Sequence, residues 1–332
     1  MGTALRVGVI GVGQMGMLHA RVYKKIPHVE LAAVCELDGA RRAEAANALG
    51  CKAYKDYGEL LSDPSIDAVS IVLPDNMHRD CVEAAAARGK HIMLEKPLAS
   101  MLADGEAIYR AVKDYGKVFT VGFILRFDAR YGAVKQAVAD GRLGDIIHIN
   151  CRRNSPITGP RRYIGASDLS MHVMIHDIDF INWCLGETPV AVFAKGRGVL
   201  LKEHGMKDVI YALLTYGSGV VACIEACWVL PENCPTVIDD KFEIVGTAGA
   251  AYVDSCDNGV RFIGERASYP DSRHWYEING APGGDLFEEL TAFVNNILDG
   301  TRSVVTAAQA LDSLRAVDAI ERSMRECKEV SV

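Results

Sequence analysis

Short apolar runs alternate with helical patterns over the first third of the chain. The apolar runs cover residues 5–10, 31–35, 68–73, 91–94 and 118–121, and helical spacing covers residues 14–25, 39–49, 81–88 and 102–115. Strands that are apolar throughout, rather than alternately apolar and polar, are typical of a parallel sheet with both faces covered. The pattern therefore predicts a doubly wound α/β domain over residues 1–122.

The pattern changes after Gly122. Helical spacing covers residues 128–141, 170–185, 286–298 and 307–327, and β patterns cover residues 190–198, 210–216, 220–229, 241–245, 250–254 and 260–263. Strands joined by glycine-containing turns favour an antiparallel arrangement. Residues 123–332 are therefore predicted to form an α+β domain with a large, mostly antiparallel sheet.

Charge and cysteine content narrow the class of protein. The chain carries 36 basic and 43 acidic residues, a net charge of −7, which predicts neither nucleic acid nor an anionic membrane surface as a partner. Its apolar stretches are too short to span a bilayer, and its first residues lack the features of a signal peptide. The ten cysteines include no Cys-x-x-Cys pair, so we expect reduced thiols, no metal site and a cytoplasmic location.

A glycine motif follows the first predicted strand and opens the first predicted helix. It contains Gly11, Gly13, Gln14, Met15 and Gly16. Such a turn brings backbone N–H groups and the positive end of the helix dipole to a pyrophosphate, so the motif predicts a dinucleotide site. Glu36 ends the second strand, where a carboxylate binds ribose hydroxyls and repels a 2′-phosphate. NAD is therefore favoured over NADP.

Polar residues also follow two later strands of the predicted parallel sheet. In such sheets ligands bind outside the carboxyl ends of the strands. Pro74, Asn76 and His78 follow one strand and are assigned to the cofactor site, as are Glu95 and Lys96 after the next. Farther along, His176 lies in an otherwise apolar predicted helix, where a histidine is either a core residue or a proton acceptor.

The chain resembles the glucose–fructose oxidoreductase / inositol dehydrogenase / rhizopine catabolism (Gfo/Idh/MocA) family. The resemblance rests on the glycine motif, the Glu95-Lys96-Pro97 triplet and the run from His176 to Asp179, with support from Gly122-Phe123, Arg126-Phe127 and residues 287–300. It implies a Rossmann domain followed by an α+β domain whose open sheet face often joins subunits into dimers or tetramers. It also implies oxidoreduction of a sugar or polyol, with Lys96 and His176 as the catalytic pair.

One departure from the family pattern concerns the substrate. Many members carry an Asp four positions before the helix histidine, and this chain has His172 there, which weakens the case for inositol itself. We include His172 among the catalytic candidates. Arg152, Arg153, Arg161 and Arg162 form a basic cluster that either binds an anionic part of a substrate, faces solvent or contacts a neighbouring subunit. The expected substrate contacts are Lys96, Arg126, Arg153, Arg162, His172 and His176.

The sequence thus predicts an NAD-dependent dehydrogenase acting on a secondary hydroxyl of a sugar, polyol or nucleotide sugar. In this chemistry an imidazole accepts the hydroxyl proton and a lysine ammonium stabilises the developing alkoxide. Two alternatives remain open. One is a glycosidase that uses NAD for transient oxidation, and the other is a relative that senses NAD or a sugar without turnover.

Overall fold

Two groups of residues each pack around a core of their own. The computed structural model describes residues 4–159, 164, 167–256, 260, 262–263 and 267–332. The first unit comprises residues 1–127 and 273–311, and the second comprises residues 128–272 and 312–332.

The sheet of the first unit has six parallel strands in the order β3-β2-β1-β4-β5-β6. They are β1 (Leu5–Ile10), β2 (Val29–Cys35), β3 (Lys52–Tyr54), β4 (Ala68–Ile71), β5 (His91–Leu94) and β6 (Phe119–Val121). The helices along this part of the chain are α1 (Gln14–Tyr23), α2 (Gly39–Leu49), α3 (Tyr57–Ser62), α4 (His78–Ala87) and α5 (Leu102–Val112). This strand order is that of the dinucleotide-binding Rossmann fold, so the predicted doubly wound domain is confirmed.

A later segment of the chain also belongs to the first unit. Helix α8 (Asp285–Asp299) buries Leu286, Leu290 and Phe293 in the same core as Val7 and Val9 of β1. These positions recur at the three- and four-residue spacing of one helix face. The sequence division at residue 122 assigned this segment to the second domain. The hydrophobic pattern shows that α8 has an apolar face but does not show which core that face covers.

The second unit contains a seven-stranded sheet in the order β12-β11-β7-β10-β9-β8-β17. Its strands are β7 (Ile146–Pro156), β8 (Pro189–Arg197), β9 (Val209–Tyr216), β10 (Val221–Leu230), β11 (Asp239–Gly246), β12 (Ala250–Asp254) and β17 (Val330–Ser331). Every pairing is antiparallel except that of β10 with β7. The prediction of an α+β domain with a mostly antiparallel sheet is therefore confirmed.

One face of this sheet is covered by helices. These are α6 (Ala129–Ala139), α7 (Ile175–Leu185), which continues a π-helical turn over Ser170–Met174, and α9 (Ala307–Glu326). The ring of Phe180 on α7 lies 4.7 Å from that of Tyr131 on α6 and 5.0 Å from that of Phe242 on β11. These edge-to-face contacts hold two helices against the sheet. Tyr211 and Leu213 point to the other face and remain 50% and 45% exposed.

The remaining strands form two short hairpins. One pairs β13 (Phe262–Ile263) with β14 (Ala267–Ser268), and the other pairs β15 (Glu277–Ile278) with β16 (Ala281–Pro282). Among the described residues, no helix is long and apolar enough to cross a bilayer. The same residues include no group of three or more His, Cys, Asp or Glu side chains arranged to hold a metal ion.

Strand β7 is absent from the sequence prediction, although it lies near the middle of the large sheet. Its Arg152-Arg153 pair belongs to the basic cluster predicted from the sequence. In the structure β7 pairs with β10 on one side and β11 on the other, and Cys151 and Arg153 are buried. Arg153 is a charged residue at a buried position of this strand, where the sequence pattern of a strand would require an apolar residue. The strand was therefore not predicted.

Candidate active site

The glycine turn after β1 has three different steric requirements. Gly11 has a φ of +88°, and a Cβ there would lie 2.3 Å from the carbonyl oxygen of Val72. A Cβ at Gly16 would lie 1.9 Å from the carbonyl oxygen of Gly11, but one at Gly13 would meet no described atom within 4 Å. Gly11 and Gly16 are thus needed for close packing inside the protein, whereas Gly13 leaves space through which a ligand can reach the backbone.

The N-terminus of α1 borders this space. Gly13 is the N-cap residue, and among the described residues no side chain caps the helix. Gly13 and Gln14 are exposed, whereas Met15 packs partly against the core. The backbone N–H groups of the first turn and the positive end of the helix dipole therefore fit the pyrophosphate of a dinucleotide.

The Glu36 carboxylate is held beside the glycine turn. One oxygen accepts a hydrogen bond from the Val12 N–H at 3.2 Å, and the other accepts one from the Asp38 N–H at 3.0 Å. Two backbone donors thus fix the carboxylate at the end of β2, as a ribose-binding acid requires. The guanidinium of Arg41 lies 3.6 Å from the same carboxylate but is mostly exposed. Arg42 instead donates to the carbonyl oxygens of Glu36 and Leu37.

The three residues that follow β4 and are assigned to the cofactor site differ in exposure. Pro74 and Asn76 are exposed, so both remain available to a cofactor. His78 is buried, with Nδ1 2.9 Å from the carbonyl oxygen of Pro97 and Nε2 3.0 Å from that of Leu73. Burial lowers the pKa of His78. His78 therefore connects two loops at the edge of the sheet, a different place from the cofactor contact expected of it.

Glu95 and Lys96 follow β5 but lie in different surroundings. The Glu95 carboxylate is buried and accepts hydrogen bonds from His19 Nε2 at 3.0 Å and from the Lys96 backbone N–H at 3.1 Å. The contacts of the carboxylate in the structure are thus with protein groups, and its assignment to the cofactor site stays a prediction. Lys96 is half-buried, and burial lowers its pKa while Glu95 and Asp75 act in the opposite direction. The Lys96 side chain is thus more exposed than that of Glu95, and the Glu95 carboxylate lies close enough to act on its charge.

The two candidate histidines lie on the helix that precedes β8. His172 is in the π-helical turn, where its N–H bonds the Asp168 carbonyl oxygen at 2.8 Å, and His176 is in the first turn of α7. Both are half-buried. The ring of His172 lies 6.5 Å from that of Trp228 on β10. The predicted continuous helix is therefore replaced at His172 by a wider turn, a feature found frequently at functional sites.

Arg153 lies inside the second unit rather than toward a substrate. Its guanidinium donates to both carboxylate oxygens of Asp177, at 2.9 and 3.1 Å, and to the Tyr131 hydroxyl at 3.2 Å. The Tyr131 hydroxyl in turn donates to Asp240 at 3.2 Å. Burial raises the pKa of Asp177, and Arg153 counteracts that effect. Since Asp177 directly follows His176, this buried pair anchors the turn that carries the histidine.

The other arginines singled out from the sequence lie in different surroundings. Arg126 is buried in the first unit, and its guanidinium donates to the Val304 carbonyl oxygen and to Gln309 Oε1, both at 3.1 Å. It connects the segment after β6 to the start of α9. Arg152 pairs with Asp239 at 3.0 Å. Arg161 and Arg162 lie outside the described residues.

Sequence reasoning missed His19, which is buried on α1 against Glu95. The available signal was a histidine on the apolar face of the helix that the glycine motif opens.

Comparisons with known proteins identify the family of the chain. Residues 5–123 match the family described as "Oxidoreductase family, NAD-binding Rossmann fold", and residues 131–252 match the "GFO/IDH/MocA C-terminal domain". The chain is 29% identical to myo-inositol 2-dehydrogenase of Thermotoga maritima, covering 99% of this chain and 98% of that protein. It is 30% identical to scyllo-inositol 2-dehydrogenase (NAD(+)) of Bacillus subtilis, covering 97% and 94%.

A solved structure is similar over the whole chain. It is scyllo-inositol dehydrogenase from Lactobacillus casei with bound NAD(H) and scyllo-inositol, with a TM-score of 0.86, 26% identity and 99% of each chain covered. The resemblance inferred from the glycine motif, the Glu95-Lys96-Pro97 triplet and the helix histidine is therefore confirmed. This chain belongs to the Gfo/Idh/MocA family of oxidoreductases, and its first unit contains the family's NAD-binding Rossmann fold.

Proposed function

We propose that this oxidoreductase uses NAD to oxidise a secondary hydroxyl of an inositol-like polyol, or reduces the corresponding ketone in reverse. The observation that carries the proposal is the half-buried Lys96, which follows β5 at the sheet edge where the glycine turn follows β1. The inositol dehydrogenases that match nearly the full length of the chain support a polyol as the substrate class.

The residues of the first unit fit the cofactor. The backbone of residues 13–16 would hold the pyrophosphate, Glu36 the adenosine ribose, and the exposed Asn76 the nicotinamide half. When bound, NAD supplies the group that accepts a hydride from the carbinol carbon. The open space at Gly13 is the feature of this chain that permits close approach of the phosphates.

Lys96 would bind and polarise the reacting oxygen. A lysine ammonium donates up to three hydrogen bonds and stabilises negative charge that develops on an alkoxide. Glu95 and Asp75 favour the charged form of Lys96 despite its burial. A cation held in this way acts on the alcohol in one direction and on the carbonyl oxygen in the other.

His176 would accept the hydroxyl proton during oxidation and return it during reduction. An imidazole ring titrates near neutral pH and suits transfer in both directions. The pair between Arg153 and Asp177 holds the adjoining residue of the same helix turn. His172 would contact the hydroxyls of the substrate one turn earlier, where many family members carry an Asp.

A substrate panel tests the proposal. Inositol isomers, free sugars and nucleotide sugars are incubated with NAD, and NADH is followed by absorbance. We expect the highest kcat/KM with an inositol-type polyol. Release of a free sugar without net NADH would instead identify an NAD-using glycosidase. Tight NAD binding without turnover of any substrate would identify a sensor.

We also propose that the exposed sheet face joins identical subunits into a homodimer or homotetramer in the cytoplasm. Tyr211 and Leu213 on β9 and Val221 on β10 are large apolar side chains with exposures of 50%, 45% and 42%. Such a patch favours a protein interface. The absence of disulfides among the described cysteines fits a reducing compartment. Sedimentation analysis should give a mass two or four times that of the chain, and a monomer would contradict the interface.

A further inference from the structure

A chain of buried polar side chains in the first unit ends at the backbone of Lys96. The Lys96 N–H donates to Glu95 Oε2 at 3.1 Å, and Glu95 Oε1 lies 3.0 Å from His19 Nε2. His19 Nδ1 lies 2.9 Å from the Ser70 hydroxyl, which lies 3.2 Å from the Tyr23 hydroxyl. His19, Ser70 and Tyr23 are completely buried. This series of hydrogen-bonded side chains therefore runs through the core from Tyr23 on α1 to Ser70 on β4, back to His19 on α1, and on to Glu95 after β5.

The hydrogen-bond directions in this chain are mutually consistent. An ionised carboxylate only accepts, so His19 donates through Nε2 to Glu95. His19 Nδ1 and the Ser70 hydroxyl can pair in either protonation form of the imidazole, and the Ser70 oxygen can accept from the Tyr23 hydroxyl. An apolar residue at position 19 would avoid the cost of burying these groups. The polar chain therefore points to a requirement for a fixed carboxylate at Glu95.

The charges around Glu95 support an ionised carboxylate. Burial of the group raises its pKa, but the hydrogen bond from His19 and the Lys96 ammonium outweigh that effect and hold the pKa of Glu95 below its ordinary value. A second carboxylate faces this site from α8, because a Cβ at Gly122 would lie 3.4 Å from Glu95 Oε1 and 3.6 Å from Glu289 Oε2. Burial, with added effects of Glu289 and Glu95, raises the pKa of Tyr23, which stays neutral. His19 is thus the side chain that donates directly to Glu95 from α1.

We propose that His19 and Glu95 are positioning residues for Lys96. His19 holds the Glu95 carboxylate, and Glu95 holds the Lys96 peptide and favours the ammonium form of its side chain. Because α1 begins at the glycine turn, the same helix would align the cofactor phosphates and the reacting cation. This inference rests on the proposed function, in which Lys96 acts on the reacting oxygen.

Two substitutions of His19 separate positioning from packing. In His19→Gln, the side-chain amide nitrogen can take the place of Nε2 and still donate to Glu95. In His19→Asn, the shorter amide takes the place of Nδ1 and reaches only Ser70. We expect His19→Asn to lower kcat about tenfold or more, because small displacements of a reacting group are costly. His19→Gln should keep kcat within about threefold of the unsubstituted enzyme.

Two substitutions of Glu95 test the charge. The ammonium form of Lys96 is needed for activity, so activity falls as the pH rises through the pKa of Lys96. Removing the carboxylate in Glu95→Gln removes a group that raises this pKa, while Asp75 remains. The basic limb of the kcat profile should then move to lower pH by about one unit. Glu95→Asp retains a carboxylate and should restore the limb.

The control is a substitution at the far end of this series of hydrogen-bonded side chains. Tyr23→Phe removes only the far hydroxyl of the chain, so it should lower the melting temperature while leaving kcat and the pH profile unchanged. The positioning role would be overturned if both His19 variants lost the same activity, or if Glu95→Gln and Glu95→Asp had one pH profile. If His19→Asn does not fold, the Glu95 pair decides the question. Lys96→Met with near-normal kcat would contradict the proposed function itself, whatever the His19 variants show.

Discussion

The glycine turn of the first unit and the histidine helix of the second unit are positioned by different kinds of contact. At the turn, Gly11 and Gly16 fit because no side chain is present, and the groups offered to a ligand belong to the backbone. At the helix, the half-buried His176 is followed by Asp177, which is held by the buried Arg153. The first arrangement is readable from the spacing of the glycines, although the backbone atom that Gly11 approaches belongs to Val72, which is distant in sequence. The second depends on a strand distant in sequence, so its supporting residues are much harder to recognise.

The largest expected effect is on the free energy of unfolding, when the buried ion pair of the second unit is broken. Arg153→Met leaves Asp177 buried without its cation and should lower the free energy of unfolding by about 3–5 kcal/mol. Arg152→Met on the same strand is the control, because its partly exposed pair with Asp239 should contribute about 1 kcal/mol or less. Urea unfolding of both variants measures the difference. Equal losses would show that the buried pair is no more important than the surface pair.

The next effect concerns the reacting groups themselves. Lys96→Met and His176→Asn should each lower kcat about 100-fold or more, the usual contribution of an alkoxide-stabilising cation or a general base. The dissociation constant of NAD should barely change, because the proposed pyrophosphate contacts belong to the backbone of residues 13–16. Steady-state kinetics and NAD titrations test this, with the exposed Lys113→Met as control. Near-normal kcat in both variants would place the chemistry elsewhere.

A third prediction tests the backbone arrangement. In Gly13→Ala the added Cβ meets no described atom, so the fold should keep its melting temperature while the dissociation constant of NAD rises about tenfold or more. Gly16→Ala places its Cβ 1.9 Å from a backbone oxygen and should destabilise the fold. Gly132→Ala on α6, also in open space, should leave NAD binding unchanged. Unaltered NAD affinity in Gly13→Ala would contradict the assigned pyrophosphate position.

A fourth prediction concerns the choice between NAD and NADP. A carboxylate near a 2′-phosphate opposes binding by roughly 4 kcal/mol at an effective dielectric constant of 20 and a separation of 4 Å. Arg41 lies 3.6 Å from Glu36 and reduces this repulsion. We expect Glu36→Ala to narrow the ratio of the two dissociation constants about tenfold or more, while the exposed Glu44→Ala leaves it unchanged. A ratio already near one in the unsubstituted protein would contradict the role of Glu36.

The smallest expected effect is that of His172→Asp. A carboxylate one turn before His176 favours a protonated imidazole, and oxidation requires the neutral form. The acidic limb of kcat/KM should therefore move to higher pH by about one unit or less, with a changed preference among polyols and unchanged NAD affinity. If His172 only packs against Trp228, the substitution should lower the melting temperature and leave the pH profile as it was.

The contacts of individual residues show which side-chain positions could be predicted from sequence. Glu36 lies beside the glycine turn as expected, because the strand-turn-helix pattern determines the path of the backbone there. His78, Arg126 and Arg153 were assigned to ligands but donate to or contact protein groups in the structure. The polarity of a residue alone does not distinguish a side chain that binds a ligand from one that is hydrogen-bonded to another part of the protein.

The sequence by itself determined the alternation of strands and helices in the Rossmann half, apart from β3 and α3, which it did not predict, and the location of the glycine turn. It also identified Glu36 and the Glu95-Lys96-Pro97 triplet, because these features depend on local hydrophobic spacing and backbone sterics. Only the tertiary structure decided that β7 lies between β10 and β11, that α8 covers the first core, and that His19 lies against Glu95. The physical reason is that each of these depends on contacts between residues far apart in the chain, and a pattern along the chain does not specify which partner satisfies a buried group.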